Sequence, residues 1–372
     1  MSTKSSIELY NRAKPYLAVL FLQFGLAGLA IIAKFGLDHG MSHYTFAVYR
    51  NVVAAVVFAP FAKVFERKLR PKMTVSIFFK IMLLGLLEPV IDQNLYYAGM
   101  KYTTATFTTA MCNIVPALTF AMAWILRLES VNIRCLRSQA KVVGTVVTVG
   151  GAMIMTLIKG ANIGLPWTKE ISHEAENASA SATQQNPIKG SAMIAAGCLC
   201  WAAFYILQAI TLKSYPAELS LTTLICTTGA LQGIVLTFIV ERGNMGIWSL
   251  SWDSKLLAAL YGGIICSGMG YYISGVLMKE RGPVFVTAFS PLGMVIVATL
   301  SSFILGEQIF MGRVLGAGVI VLGLYLVIWG KSKDGKPCND AEAPKDQDAD
   351  TNGGFTEDQT NGTRVVPQDE AV

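Results

Sequence analysis

"VVGTVVTVGGAMIMTLIKG", residues 142–160, is answered late in the chain by "VLGAGVIVLGLYLVIWGKS", residues 314–332. Laid over one another, Gly144 falls on Gly316, Gly151 on Gly323 and Lys159 on Lys331. The endings "AKVFER" (62–67) and "TFIVER" (237–242) recur in the same order, as do Phe107 with Phe285 and Glu129 with Glu307. The chain therefore reads as one unit written twice.

Each copy holds five apolar blocks. They lie at roughly 15–37, 44–64, 77–98, 103–126 and 142–158, then at 190–210, 219–240, 256–277, 284–305 and 314–330. A block of about 20 residues crosses a hydrocarbon core of about 30 Å. Lipid offers the backbone no hydrogen bonds, so apolar runs this long cross as helices. Composition agrees: 53% of the 372 residues are apolar, only 15% are charged, and the mean hydropathy is +0.49. Soluble domains carry about a quarter charged residues. The prediction is an all-α polytopic membrane protein with ten transmembrane helices. Five is an odd number, so the second copy enters the membrane upside down. A pseudo-two-fold axis in the membrane plane then relates the copies, and such carriers hold their site near mid-membrane between the halves.

Residues 1–14 read as a cytosolic N-terminal tail, 15–158 as the first repeat, 159–189 as an external loop, 190–330 as the second repeat, and 331–372 as a disordered cytosolic C-terminal tail. The last segment is rich in Asp, Asn, Gln and Gly and too poor in apolar residues to build a core. Loop charge sets the orientation. With the N-terminus inside, the segments near the spans hold 18 Lys and Arg on the cytosolic side and seven on the other, which the positive-inside rule reads as both termini cytosolic. The net charge of +6 reports this topology and calls for no nucleic-acid partner. Asn177-Ala178-Ser179 is a glycosylation sequon in the external loop. Seven cysteines without a CxxC spacing and three histidines suggest neither a metal site nor a cofactor.

One block breaks the apolar rule. "LLEPVIDQNLYYAG" (86–99) places two carboxylates in the third span. Glu88 lies about 16 Å in at 1.5 Å per residue, near the midplane. Asp92 follows one turn later, which in an α-helix is the same face. An ionised side chain at that depth costs about 2.5–3.5 kcal/mol by insertion scales and should meet a cavity or a partner. Two carboxylates on one turn repel when both are ionised, which suits coupling to protons. Pro89 removes a backbone donor and invites a kink. Arg50, at similar depth in the second span, is expected to pair with Asp92 or Glu88, with an anionic substrate group competing for it. Asn94, Asn113 and Gln23 are candidates to orient a bound solute, and Lys34 is expected to snorkel to the interface. Pro116 in "NIVP" (113–116) and Pro291 in "SPLG" (290–293) mark further helix breaks. Trp201, Tyr205, Tyr271 and Tyr272 are read as packing residues, with lining of a path the less expected role.

"EPVIDQNLYYAGMKYTTATF" (88–107), "NIVPALTFAMAWILRLE" (113–129) and "RGPVFVTAFSPLGMVIVA" (281–298) resemble plant EamA-type carriers of the drug/metabolite transporter superfamily, in the nodulin-like, Walls-Are-Thin-related (UmamiT) branch. The likeness runs over about residues 12–332. It implies two inverted five-helix EamA repeats and a facilitator or exporter of small metabolites, amino acids foremost, with auxin or another organic anion as the alternative. It transfers no site residue. Plasma membrane is the first expectation and vacuolar membrane the second. A receptor or scaffold acting through the acidic tail is the competing class. The absence of HExxH, of GxGD and of a Ser/His pair within the spans argues against an enzyme, and no GxxxxGK[ST] loop is present to use ATP.

Overall fold

Long apolar runs fold into helices over most of the residues described in the computed structural model. It describes residues 3–38, 42–103, 105–129, 135–158, 160–163, 187–241, 248, 254–305 and 309–332. Among the described residues the helices group into ten spans. Span 1 is Thr3–Asp38, span 2 His43–Phe65, span 5 Leu136–Leu157, span 6 Pro187–Ser214, span 7 Glu218–Val240 and span 10 Met311–Ser332. Four spans are interrupted. Span 3 comprises Val75–Leu86, a π-helical turn Leu87–Asp92 and Gln93–Tyr102. Span 4 comprises Ala105–Cys112 and Val115–Ile125. Span 8 comprises Ser254–Tyr261, a π-helical stretch Gly262–Met269 and Gly270–Arg281. Span 9 comprises Pro283–Ala288 and Ser290–Leu305. Among the described residues, nine helical runs are long and apolar enough to cross a bilayer. Span 3 is the tenth crossing, and its polar turn lowers its hydropathy.

The expected tails need adjustment at both ends. The first helix starts at Thr3, well inside the segment read as a tail, and carries Pro15 within it. The last helix runs to Ser332 and buries Lys331. The sequon at Asn177 and the tail beyond Ser332 lie outside the described residues, as does the side chain of Lys34.

Spans 5 and 10, the two halves of the repeated sequence, form the tightest seam in the molecule. A Cβ on Gly144 would lie 2.8 Å from the carbonyl oxygen of Gly323, and one on Gly151 would lie 2.7 Å from the amide of Ile320 and 3.0 Å from the carbonyl oxygen of Gly316. The reciprocal contacts hold: Gly316 faces the carbonyl of Gly151 at 2.7 Å and Gly323 faces that of Gly144 at 2.8 Å. Numbering rises on one helix as it falls on the other, so the pair is antiparallel. Gly144 corresponds to Gly316 and Gly151 to Gly323 in the repeat, so the contact of Gly144 with Gly323 is mirrored by that of Gly316 with Gly151, the signature of two-fold contact. In lipid no hydrophobic drive pulls helices together, and small residues that let backbones approach supply van der Waals contact instead.

The same exchange organises the rest. Span 2 packs on span 8 and span 7 on span 3; span 1 lies against spans 8 and 9, and span 6 against spans 3 and 4. Spans 2 and 7 also pack on each other. Every one of these contacts joins one repeat to the other. The repeated "ER" endings have a matching role. Glu66, after span 2, accepts the backbone N–H groups of Leu219 at 2.8 Å and Ser220 at 2.6 Å, closing the N-terminus of span 7. Glu241, after span 7, accepts the hydroxyl of Ser42 at 3.3 Å, the N-cap of span 2. Glu66 thereby satisfies orphan backbone donors, and both carboxylates lie at the positive end of a helix dipole.

At the end of the bundle that holds Glu66, Glu129 is a second shared carboxylate. It accepts Lys141 Nζ at 2.9 Å and Lys331 Nζ at 3.0 Å, all three groups being buried. Lys331 also donates to the carbonyl oxygen of Arg281 at 2.8 Å, so one cluster ties spans 4, 5, 8 and 10. At the opposite end two short strands, β1 (Asn162–Ile163) and β2 (Ile309–Phe310), pair antiparallel as Asn162↔Phe310 and Ile163↔Ile309.

Candidate functional site

Proline at position 89 cannot donate to the carbonyl four residues back, and its ring crowds that carbonyl. The helix answers by widening into the π turn 87–92. Single π turns inside helices recur at functional sites. Leu87 begins this turn and Gly262 begins its counterpart in span 8, 175 residues later, so the wide turns are themselves repeated. Span 8 reaches the same shape without proline, through a run of glycines.

Within the π turn Glu88 and Asp92, expected on one face, meet different neighbours. Glu88 turns towards spans 2 and 8. Its Oε1 lies 3.5 Å from Arg50 Nη2 and accepts Gln93 Nε2 at 3.3 Å. Its Oε2 accepts the phenol of Tyr271. Asp92 turns instead towards span 6, where its Oδ1 would lie 3.1 Å from a Cβ on Gly197. It makes no hydrogen bond or ion pair among the described residues and is half-buried. Of the two partners anticipated for Arg50, the structure selects Glu88.

Arg50 is buried, 7% exposed, yet underused. A guanidinium has five N–H donors in a planar fork. Here one nitrogen faces a carboxylate at 3.5 Å, and Nε has no hydrogen-bond partner. The stem of Arg50 crosses Gly262, where a Cβ would come within 3.1 Å of Cδ. Pro89 is seated in the same way on Gly229, at 2.8 Å. The second repeat thus gives the charged turn room, through Gly197, Gly229 and Gly262, and a hydrogen-bond donor in Tyr271.

The other anticipated residues are scattered. Asn94 donates to the carbonyl of Val90 in its own helix. Asn113 is buried in the break of span 4 with its Nδ2 unpartnered, and Pro116 sits at the start of the helix after that break. Gln23 is buried against Gly293 of span 9, two residues after Pro291, where a Cβ would lie 2.6 Å from its Oε1. Tyr271, expected as a packing residue, is a side chain of the second repeat that hydrogen-bonds Glu88. Its signal stood in the sequence: Tyr96-Tyr97 recurs as Tyr271-Tyr272 at the offset of the two π turns. Beneath it Gln208 Nε2 holds the Tyr271 carbonyl at 3.2 Å.

This architecture has close relatives. The EamA-like transporter family model matches residues 13–157 and again 188–329. WAT1-related protein At2g39510 of Arabidopsis thaliana is 61% identical over 86% of this chain and 86% of its own length. WAT1-related protein At2g37460 of the same plant is 58% identical, covering 88% and 85%. A solved crystal structure superposes with a TM-score of 0.64 over 86% of this chain and 98% of that one, at 13% identity, a likeness of fold alone. The doubled family match, the inverted packing and the close plant relatives agree: this chain is a multi-pass membrane protein of the EamA-like transporter family, in its plant WAT1-related branch.

Proposed function

We propose that this protein is a secondary carrier of small zwitterionic metabolites, amino acids foremost, working by alternating access around the π turn of span 3. The observation that carries the reading is the uneven use of the three charges there. Arg50 has donors to spare beside Glu88, and Asp92 stands a turn away with no hydrogen bond or ion pair among the described residues. A substrate carboxylate fits the guanidinium fork, which recognises planar oxyanions in a bidentate way. The substrate ammonium goes to Asp92. Carboxylate binding at Arg50 competes with Glu88, which keeps its bonds to Tyr271 and Gln93. Asp92 is also the group open to a coupled proton. Both termini are cytosolic in this reading, as the loop charges suggest, and the plasma membrane is the first host.

Flux of labelled amino acids and of auxin, measured in proteoliposomes with the parent chain and with Asp92→Asn, tests it. Amino-acid flux should fall at least tenfold in the variant. Unchanged amino-acid flux in both Asp92→Asn and Glu88→Gln sinks the ammonium site. Loss-free auxin flux in Asp92→Asn, with no amino-acid flux in the parent, points instead to an organic-anion exporter that needs Arg50 alone. Removing residues 335–372 should leave flux intact; its loss favours a role centred on the tail.

A further inference from the structure

Cys112 ends the first helix of span 4, just before the break at Asn113, and Cys198 lies in span 6 beside Gly197. One belongs to the first repeat and the other to the second. Their sulfur atoms are 3.9 Å apart, in van der Waals contact, and both are free thiols. The Cys198 thiol points at Cys112 and at the carbonyl oxygen of Met111, 3.7 Å away. Val115, Ile194, Met111, Leu118 and Trp201 pack around the pair. Cys112 is the more open of the two and Cys198 is buried. Apolar packing alone accounts for a lone buried cysteine. It does not account for two thiols from opposite repeats aimed at one another at the only interruption of span 4.

We infer that this pair is an oxidation site, where a hydroperoxide converts the two thiols into a disulfide stapling span 4 to span 6. Cys112 sulfur attacks one peroxide oxygen and the O–O bond breaks. The departing oxygen takes up the thiol proton and leaves as water, so Cys112 becomes a sulfenic acid. Cys198 sulfur then attacks the sulfenic sulfur, and the hydroxyl leaves with the Cys198 proton as a second water. Two thiols and one hydrogen peroxide thus give one disulfide and two waters; an organic hydroperoxide gives its alcohol in place of the first water. The sulfurs must close by about 2 Å, within reach of side-chain rotation when the helices already touch. The staple fixes the end of span 4's first helix, beside the joint at Asn113–Ile114 and one residue along span 6 from the glycine that faces Asp92. Transport then stops; this last step alone rests on the carrier reading above.

The test uses the full chain in proteoliposomes, treated with hydrogen peroxide or with buffer, and labelled glutamine as probe. After blocking free thiols and digestion, mass spectrometry should find a peptide linking residues 112 and 198 in the oxidised sample. Glutamine flux should fall at least fivefold and return with dithiothreitol. Cys112→Ser and Cys198→Ser should carry the probe at the parent rate and ignore peroxide. Cys112→Ala serves where a serine variant fails to fold. Absence of the linked peptide overturns the proposal, and so does a linked protein that carries glutamine at the unlinked rate. Should the untreated parent carry no glutamine, the amino-acid reading fails on its own, while the linked peptide still decides whether the oxidation site exists.

Discussion

Consider a double-mutant cycle on Arg50 and Glu88, built from Arg50→Met, Glu88→Gln and the pair together. The charged atoms approach to 3.5 Å, and both residues are less than a tenth exposed. At an effective dielectric of about 20, that separation corresponds to about 5 kcal/mol of attraction. Desolvating both ions opposes this gain, so the pair taken whole contributes little net stability. Removing one partner is another matter, because the survivor stays buried without its counter-charge, at a cost of about 3–5 kcal/mol. Glu88→Gln preserves shape and can still meet Tyr271 and Gln93, so its cost isolates the lost charge. Arg50→Met preserves most of the stem that crosses Gly262. Each single variant should therefore lose about 3–5 kcal/mol, and the double variant should lose far less than their sum, leaving a coupling of about 3 kcal/mol or more. Reversible unfolding by titrated denaturing detergent in mixed micelles measures all four corners. A cycle in which the single losses simply add, or in which Glu88→Gln is as stable as the parent, refutes the buried pair and the reading of the site built on it.

The remaining predictions concern the scaffold. Gly151→Ala and Gly316→Ala each drive a methyl into the backbone of the facing helix, at 2.7 Å and 2.6 Å, and each should lose about 1–3 kcal/mol in the same unfolding assay. Gly150→Ala, whose Cβ would meet nothing within 4 Å, should be neutral. Glu129→Gln leaves two buried ammonium groups facing one neutral amide and should destabilise by about 3–5 kcal/mol, with Lys331→Met restoring part of the loss. Glu66→Gln weakens the two backbone bonds that close span 7 and should cost about 1–2 kcal/mol, read as faster hydrogen exchange at Leu219 and Ser220.

The repeat made the fold legible. Matching glycines in spans 5 and 10 disclosed the duplication, and an odd number of crossings per copy forces inversion. Sequence spacing did not say that these glycines face one another, since azimuth around a helix is fixed only when a partner is chosen. Arg50 and Glu88 could be matched for depth because every helical residue rises by the same amount. Choosing between Glu88 and Asp92 required knowing which neighbouring spans each carboxylate meets, and spacing within one helix does not contain that. Tyr271 escaped because an aromatic residue in an apolar span looks like packing until the copies are aligned through Tyr96. Glu66, Glu129 and Glu241 show the converse: charges that read as loop residues are fixed fastenings at the ends of the bundle.

The crossed arrangement of Glu66 and Glu241 bears on how the chain is made. The helix of residues 218–240 is completed by a side chain synthesised some 150 residues earlier, whereas Glu241 reaches back only to the hydroxyl of Ser42. The copy made first is therefore already in place to close the second helix of the copy made after it.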